Sequence, residues 1–329
     1  MTICVTGATG FVGGTVARQL RSGGHRVRAI VRSPKAAGSL AAAGVELHEG
    51  DVANKESLRL PMSGAEAVFH IAGWYKIGIK DRDAAVRTNV DGTRNVLELM
   101  HELGIPKGVY TSTLAVNSDT HGRLVDETFR FTGSHLSVYD ETKAEAHRIA
   151  EAFIMRGLPL VIVQPGLVYG PGDTSGVRTT LRQFLQRKLP LLPRETAFAW
   201  GHIEDVARGH VLAMERGTAG RNYFLAGPAH TLVEAIDVAS DITGVSAPRL
   251  RVSPGVLGAA AACAGVLERF VTLPSAYASE SLRVLAGVTY IGSSARAQQE
   301  LGWTARPLRE GLTETLRVEM GLLGMATTF

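Results

Sequence analysis

The sequence predicts an α/β fold: a doubly wound parallel sheet with a smaller, mostly helical C-terminal lobe. Three observations carry that prediction. The first thirteen residues read as a strand, a glycine turn and the start of a helix. Apolar strand-like runs then alternate with helical patterns as far as Val163, and beyond Gly170-Pro171-Gly172-Asp173 helical patterns dominate. Strict alternation implies parallel pairing with right-handed crossovers. It also places a ligand at the carboxyl ends of the strands.

Each element follows in order. Thr2-Ile3-Cys4-Val5-Thr6 is short, apolar and β-branched, and the helical pattern of Thr15–Leu20 comes after its turn. Further strands are expected at Arg26–Val31, Val45–Glu49, Ala67–Ile71, Gly108–Ser112 and Pro159–Val163. A helix is expected from Thr88 to Leu103, with Val90, Val96, Leu97, Met100 and Leu103 as its apolar stripe and Gly104 closing it. A second runs from Val138 to Arg156. Residues 174–200 read as a loop plus one helix, Val177–Arg187. Helices at Glu204–Glu215, Leu232–Thr243, Val256–Phe270 and Leu308–Met320, with one strand at Asn222–Leu225, complete the chain. The expected division is a dinucleotide-binding domain over 1–170, to which 201–230 returns, and an interleaved substrate lobe over 171–329.

Bulk properties bound the function. The chain has 329 residues, 45% hydrophobic and 20% charged, which is ordinary for a globular protein. Its net charge of +4 comes from 35 basic and 31 acidic residues spread along the chain, which argues against a nucleic-acid partner. Two distant cysteines, Cys4 and Cys263, make neither a disulfide framework nor a metal site, and no metal is expected. The most hydrophobic stretch, Val256–Leu267, is too short to span a bilayer. A nucleotide loop that begins at residue 7 leaves no room for a secretory signal before it, so the expected location is the cytoplasm.

The chemistry begins at Gly7-Ala8-Thr9-Gly10-Phe11-Val12-Gly13. Gly7 permits the tight turn, Gly10 allows close approach to a diphosphate, and Gly13 lets the helix pack on the strand. The helix N-terminus offers free N–H groups to phosphates. Gly7, Thr9, Gly10, Phe11, Val12 and Gly13 are therefore the expected cofactor cradle. Tyr139-Asp140-Glu141-Thr142-Lys143 puts a phenol and an ammonium on one helical face. A free phenol has a pKa of about 10, too high for proton exchange near neutrality, and a neighbouring cation lowers it. Tyr110-Thr111-Ser112-Thr113 ends a strand, and its hydroxyls are placed to face the ligand crevice and to stabilise a developing alkoxide.

With these residues in hand the chain resembles an extended short-chain dehydrogenase/reductase of the epimerase/dehydratase type, with its Rossmann sheet. The resemblance runs from Ile3 to about Leu312. It includes Gly50-Asp51-Val52, Phe69-His70-Ile71-Ala72-Gly73, Asn89-Val90-Asp91-Gly92-Thr93, Pro165-Gly166-Leu167-Val168-Tyr169-Gly170-Pro171, His202-Ile203-Glu204-Asp205-Val206 and Leu301-Gly302-Trp303. It implies Tyr139 as general acid/base, Lys143 on the nicotinamide ribose, and Thr113 as the hydroxyl that polarises the substrate, with Ser112 as a stand-in. It also implies Asp51 and Val52 at the adenine, Ala72, Gly73 and Thr111 along the cofactor, Asn89 by the active site, and Pro165 and Val168 beside the nicotinamide. Gln164 stands where the family usually has Arg.

The second strand ends Arg32-Ser33-Pro34-Lys35 with no acid to hold ribose hydroxyls. Arg32, Ser33 and Lys35 suit a 2′-phosphate, so NADP is favoured over NAD. Nucleotide-sugar enzymes of the superfamily carry an Arg that grips a sugar diphosphate. Here Arg194–Gly201 reads Arg-Glu-Thr-Ala-Phe-Ala-Trp-Gly, with that Arg absent. Trp74, Tyr75 and Trp200 are expected to line an aromatic pocket for a lipophilic carbonyl or alcohol. In this respect the chain is similar to dihydroflavonol-reductase-like and 3β-hydroxysteroid-dehydrogenase-like members. Arg178, Arg182 and Arg187 keep a nucleotide-sugar epimerase or dehydratase open as the alternative, and a non-catalytic dinucleotide sensor is a second. The resemblance implies a homodimer through the helices of Asn89–Leu103 and Val138–Arg156.

Overall fold

The computed structural model describes residues 1–79, 81–327 and 329. Its first half runs β1 (Thr2–Thr6), α1 (Phe11–Ser22), β2 (Arg26–Val31), α2 (Gly38–Ala42), β3 (Glu46–Glu49), α3 (Lys55–Met62), β4 (Ala67–His70) and α4 (Arg82–Ala85). A π-helical turn, Val86–Asp91, leads into α5 (Gly92–Glu102), β5 (Gly108–Thr111), α6 (Val138–Met155) and β6 (Leu160–Pro165). There follow β7 (Leu167–Tyr169), α7 (Gly176–Leu185), β8 (Leu192–Pro193), β9 (Ala197–His202), α8 (Ile203–Arg216) and β10 (Asn222–Leu225). The chain ends with β11 (Ala229–Thr231), α9 (Leu232–Thr243), β12 (Arg251–Val252), α10 (Pro254–Leu267), α11 (Ser279–Val284), β13 (Thr289–Tyr290) and α12 (Leu308–Leu322).

Seven parallel strands form the main sheet in the order β3-β2-β1-β4-β5-β6-β10. The order reverses beside β1, where Thr6 stands opposite Ile30 on one side and His70 on the other. That reversal opens a crevice at the strand ends. Both faces of the sheet are covered, so its central strands are largely apolar, while the edge strand β3 (Glu-Leu-His-Glu) is not. Ile3 and Val5 pack with Val16 and Leu20 of α1 and Ala207 and Ala213 of α8. Cys4, Val68 and Tyr110 pack with Val96, Leu97 and Met100 of α5 and Ala146 of α6. Each large side chain buried in these layers contributes roughly 1.5–3 kcal/mol.

Helix boundaries follow local chemistry. The Ser137 side chain accepts from Asp140 N and starts α6, which places Tyr139 in the first turn. Thr231 and Glu234 form a capping box at α9, and Gly244 ends it at φ +70°.

The helices α2, α3, α4 and α11 and the short strands β7, β11, β12 and β13 stand where no element is expected, and one further stretch differs from its expectation. Residues 174–200 hold the expected helix, as α7, but the part expected as loop also holds β8 and most of β9. β9 is the centre of a second sheet, between β11 and β13 with β7 also paired to it. Its partners lie at 167–169, 229–231 and 289–290, so nothing local announces the strand. β10 meanwhile rejoins the main sheet beside β6, and the chain crosses between the layers more than once.

Candidate active site

The glycine turn is built by contact. Gly7 has φ +72°, and a Cβ there would lie 2.5 Å from Ala72 N. A Cβ on Gly13 would lie 2.2 Å from the Gly7 carbonyl oxygen. Gly10 N donates to that same oxygen at 2.9 Å. α1 then begins with no side-chain cap and no acidic residue in its first turn. Its leading N–H groups are left for an external anion.

Thr9, Gly10, Phe11, Thr15 and Arg18 form one wall of a cleft of about 400 Å³, and Tyr75, Pro171, Gly172 and Thr174 form the other. The Tyr75 hydroxyl bridges the rim at 3.2 Å from Thr174 Oγ1. Val12 follows on the first turn of α1, half-buried. A smaller recess of about 90 Å³ lies behind Thr9 and Gly10, against Ala36, Ala37 and Ser39. Arg18 borders both. Sequence reasoning missed it. Its signal is helical spacing: Arg18 stands four residues after Gly14, on the same face of α1.

Arg32, Ser33 and Lys35 are exposed after β2, and among the described residues their side chains form no ion pair or hydrogen bond. Asp51 and Val52 follow β3, with Asp51 Oδ1 accepting from Ala53 N and the Val52 carbonyl accepting from Asn95. Ala72 and Gly73 follow β4, where Thr6 Oγ1 accepts from the N–H groups of Ile71 and Ala72. A cradle closed to any Cβ, an uncapped helix start and unengaged cations together fit a dinucleotide.

The three hydroxyls leaving β5 point in three directions. Thr111 Oγ1 pairs with His210 Nε2 at 3.0 Å, under α8. Ser112 Oγ is buried against His147 Nδ1 of α6 at 2.8 Å. Thr113 Oγ1 accepts from Ala115 N at 3.2 Å and is the one of the three hydroxyls that lies close enough to the Tyr139 phenol to favour its ionised form. Ser112 is therefore not available as a stand-in. Thr111 meets Lys143 through its carbonyl, while its side chain faces His210.

Tyr139 is half-buried, and burial pushes its phenol up to about 12 against the opposing effect of Thr113. One turn on, the buried Lys143 donates to Thr111 O at 2.8 Å and to the Tyr110 hydroxyl at 3.2 Å. Its ammonium lies 4.9 Å over the Tyr110 ring, and burial lowers it to about 7. The lysine is thus anchored on β5. The lowered phenol expected from a neighbouring lysine is not found: burial dominates, Asp140 adds to it, and the opposing influence comes from Thr113 and not from Lys143. Tyr110 stacks on His70, which bonds to Thr6 and Thr93 and is held neutral by burial at about 3.

Asn89 sits in the π-helical turn, a feature common at functional sites. Its Oδ1 accepts from Trp74 N, and its Nδ2 donates to Trp74 O and to Thr142 Oγ1. These bonds tie the Trp74 segment to α6. Trp74 is half-buried and Tyr75 exposed. Trp200 is corrected: it is 2% exposed, packs edge-on against Tyr169, and donates Nε1 to the His230 carbonyl in the core of the second lobe. Pro165 ends β6 and Val168 lies in β7, at a junction where a Cβ on Gly166 would meet Ala199 O at 2.3 Å.

Two further residues missed from sequence come from the second lobe. Tyr290 donates to the buried Asp140 carboxyl, beside Tyr139, which burial raises to about 6. Glu280 accepts from Val138 N at the start of α6 and from Gly78 N. Both sit some 140 residues or more along the chain from their partners, so no local pattern marks them.

A glycine cradle after β1 and a Tyr–Thr–Lys set at the carboxyl end of β5, on one edge of the parallel sheet, define the class, an NAD(P)-dependent oxidoreductase of the short-chain dehydrogenase/reductase type. The chain belongs to the NAD dependent epimerase/dehydratase family, which residues 3–226 match. It is 35% identical over 253 residues to a putative dihydroflavonol 4-reductase of Synechocystis sp., covering 74% of this chain and 73% of that one. It is 29% identical over 322 residues to sterol demethylase protein B of Methylococcus capsulatus, covering 96% and 97%. The crystal structure of gox2253 matches with a TM-score of 0.85 at 30% identity, over 99% of both chains.

Proposed function

We propose that this oxidoreductase interconverts a lipophilic secondary alcohol and its ketone, with NADP as the preferred cofactor. The observation that carries the proposal is that Tyr139, Thr113 and Lys143 come together at the carboxyl end of β5, on the sheet edge that also carries the glycine cradle. The bound nicotinamide would supply or accept the hydride. The Tyr139 phenol gives a proton to the substrate oxygen in reduction and takes it back in oxidation. Raised by burial, it is protonated at neutral pH, the form needed to donate to a carbonyl. Thr113 Oγ1 orients that oxygen, and Lys143 holds the ribose side from its anchor on β5.

A lipophilic substrate is supported by what is missing for a diphosphate. Arg178 and Arg182 are committed to the buried Glu319, at 2.7 and 3.4 Å. The relatives above are named for a dihydroflavonol and a sterol. Unengaged Arg32, Ser33 and Lys35 support NADP. Asp51, Val52, Ala72, Gly73, Pro165 and Val168 complete the cofactor lining in this reading, with Trp74 and Tyr75 facing substrate. A homodimer through α5 and α6, working in the cytoplasm, is part of the same proposal, as is the division into a 1–170 domain joined by 201–230 and a substrate lobe.

The test follows nicotinamide absorbance across ketones and aldehydes, and product formation from nucleotide sugars, since an epimerase or dehydratase returns the hydride and leaves that absorbance unchanged. Tyr139→Phe should cut turnover by about 10²-fold or more while dinucleotide binding persists. Near wild-type turnover in that variant sinks the mechanism. Turnover confined to nucleotide sugars returns the epimerase reading, and binding without any turnover returns the sensor.

A further inference from the structure

α10, Pro254–Leu267, carries no charged residue. Leu257, Ala261 and Ala264 form its buried stripe, at the spacing of one helical face. The rest of the helix looks outward and is apolar. Val256 is 61% exposed and Val266 57%, and the apolar run continues past the helix through Phe270 at 80%. Tyr277 is exposed nearby in the chain at 63%. A contiguous apolar face of this kind marks a contact surface.

Charge says what covers it. Between Gly244 and Arg283 there are two carboxylates, and both are engaged within the fold. Glu268 accepts from Ser279 N and Oγ, and Glu280 from Gly78 N and Val138 N. Of the four arginines in the same stretch, Arg251 pairs with Asp237 at 3.0 Å, and the other three are disposed outward. Arg249 before the helix, Arg269 just after it and Arg283 beyond are exposed, and among the described residues none forms an ion pair. An apolar helical face flanked by unpaired cations, with its acids turned in, matches an anionic lipid surface. A second copy docked on the same face would set arginine against arginine. The helix is 14 residues long, and a span needs about 20. Among the described residues no helix is long and apolar enough to cross a membrane. The face therefore lies on a bilayer and does not traverse it.

The surface is tied to the site. A Cβ on Gly78 would meet Ser281 Oγ at 2.3 Å and Ser275 O at 2.5 Å, so the segment after Trp74 and Tyr75 is packed against α11 and the turn before it. Glu280 joins that segment to the first turn of the helix that carries Tyr139. We infer that α10 and the segment to Tyr277 form an interfacial docking surface for anionic membranes, which sets the mouth of the crevice beside the lipid that holds a lipophilic substrate. Only that last clause rests on the proposed substrate class. The docking itself does not.

The experiment is flotation of the full chain with vesicles of phosphatidylcholine alone and of phosphatidylcholine mixed equally with phosphatidylglycerol. Binding is expected to the mixed vesicles and to weaken with salt. Val266→Asp with Phe270→Asp should reduce it on the order of tenfold or more, and Arg269→Glu should remove most of its dependence on phosphatidylglycerol. Both variants should keep the wild-type melting temperature and wild-type turnover of a water-soluble ketone, because these side chains lie outside the fold and the site. No wild-type binding to either vesicle overturns the inference. So does vesicle binding that survives all three substitutions. If the double variant instead converts an oligomer to a smaller species with no vesicle binding in the wild type, the face belongs to a second copy and the inference fails. Flotation needs no turnover, so its failure leaves the oxidoreductase reading standing, and failure on the ketone panel leaves the docking surface standing.

Discussion

Substituting Gly13 by Ala tests the cradle most directly. The added methyl would lie 2.2 Å from the Gly7 carbonyl oxygen and 2.7 Å from its carbon. Such contacts are not tolerated below 3.0 Å, so α1 and the Gly7 turn must separate by about 0.8 Å. Both partners are backbone, and no rotamer change relieves the overlap. The cost therefore falls near the upper end for overpacking, about 3 kcal/mol. With an unfolding entropy of about 2.1 cal/mol/K per residue, that lowers Tm by about 4 °C. The same separation draws the first amides of α1 away from a diphosphate. Losing one or two charge-assisted hydrogen bonds, at about 1.5–3 kcal/mol each, weakens dinucleotide binding on the order of 10²-fold. Gly255→Ala is the control, since an added Cβ there meets nothing within 4 Å. Fluorescence titration with the dinucleotide and a thermal melt measure both effects. A Gly13→Ala protein that binds within a factor of about two of wild type and melts at the same temperature would refute the reasoning.

Thr113→Ala should lower kcat by about 10²-fold, while Ser112→Ala keeps most activity because its hydroxyl serves His147; equal losses in steady-state assays would contradict the placement of the three hydroxyls. Arg32→Glu should raise the KM for NADP far more than that for NAD, and parallel changes in the two would remove the 2′-phosphate assignment. Lys143 titrates at about 7 folded against 10.5 as a free group, so the unfolded chain holds the extra proton between those values. The cofactor-free protein should therefore gain stability as pH rises from 7 toward 10.5, by at most about 1.4 kcal/mol per pH unit from this group. Lys143→Met should flatten that part of the denaturation profile, and an unchanged slope would count against a buried, depressed lysine.

Much of the main sheet is legible in the chain because each of its units is local. Strand, turn and helix are adjacent in sequence from Thr2 to Leu20, and Asn222–Leu225 and Leu232–Thr243 are read to the residue. β9 is not legible, because its pairs come from three distant segments. Trp200 shows the same limit at one side chain. An aromatic in an unassigned stretch reads equally as pocket wall or core, and only its place in β9 under Tyr169 decides between them.

The sequence by itself determined the glycine cradle, the Tyr139–Lys143 pair and the hydroxyl cluster, since each depends on spacing along one strand or one helix. Tertiary structure decided which hydroxyl neighbours Tyr139, where Lys143 spends its hydrogen bonds, and that Arg178 and Arg182 answer Glu319. It also decided that Glu280 and Tyr290 brace the start of α6. Those choices depend on directions and on partners far apart in the chain, and a linear pattern carries neither.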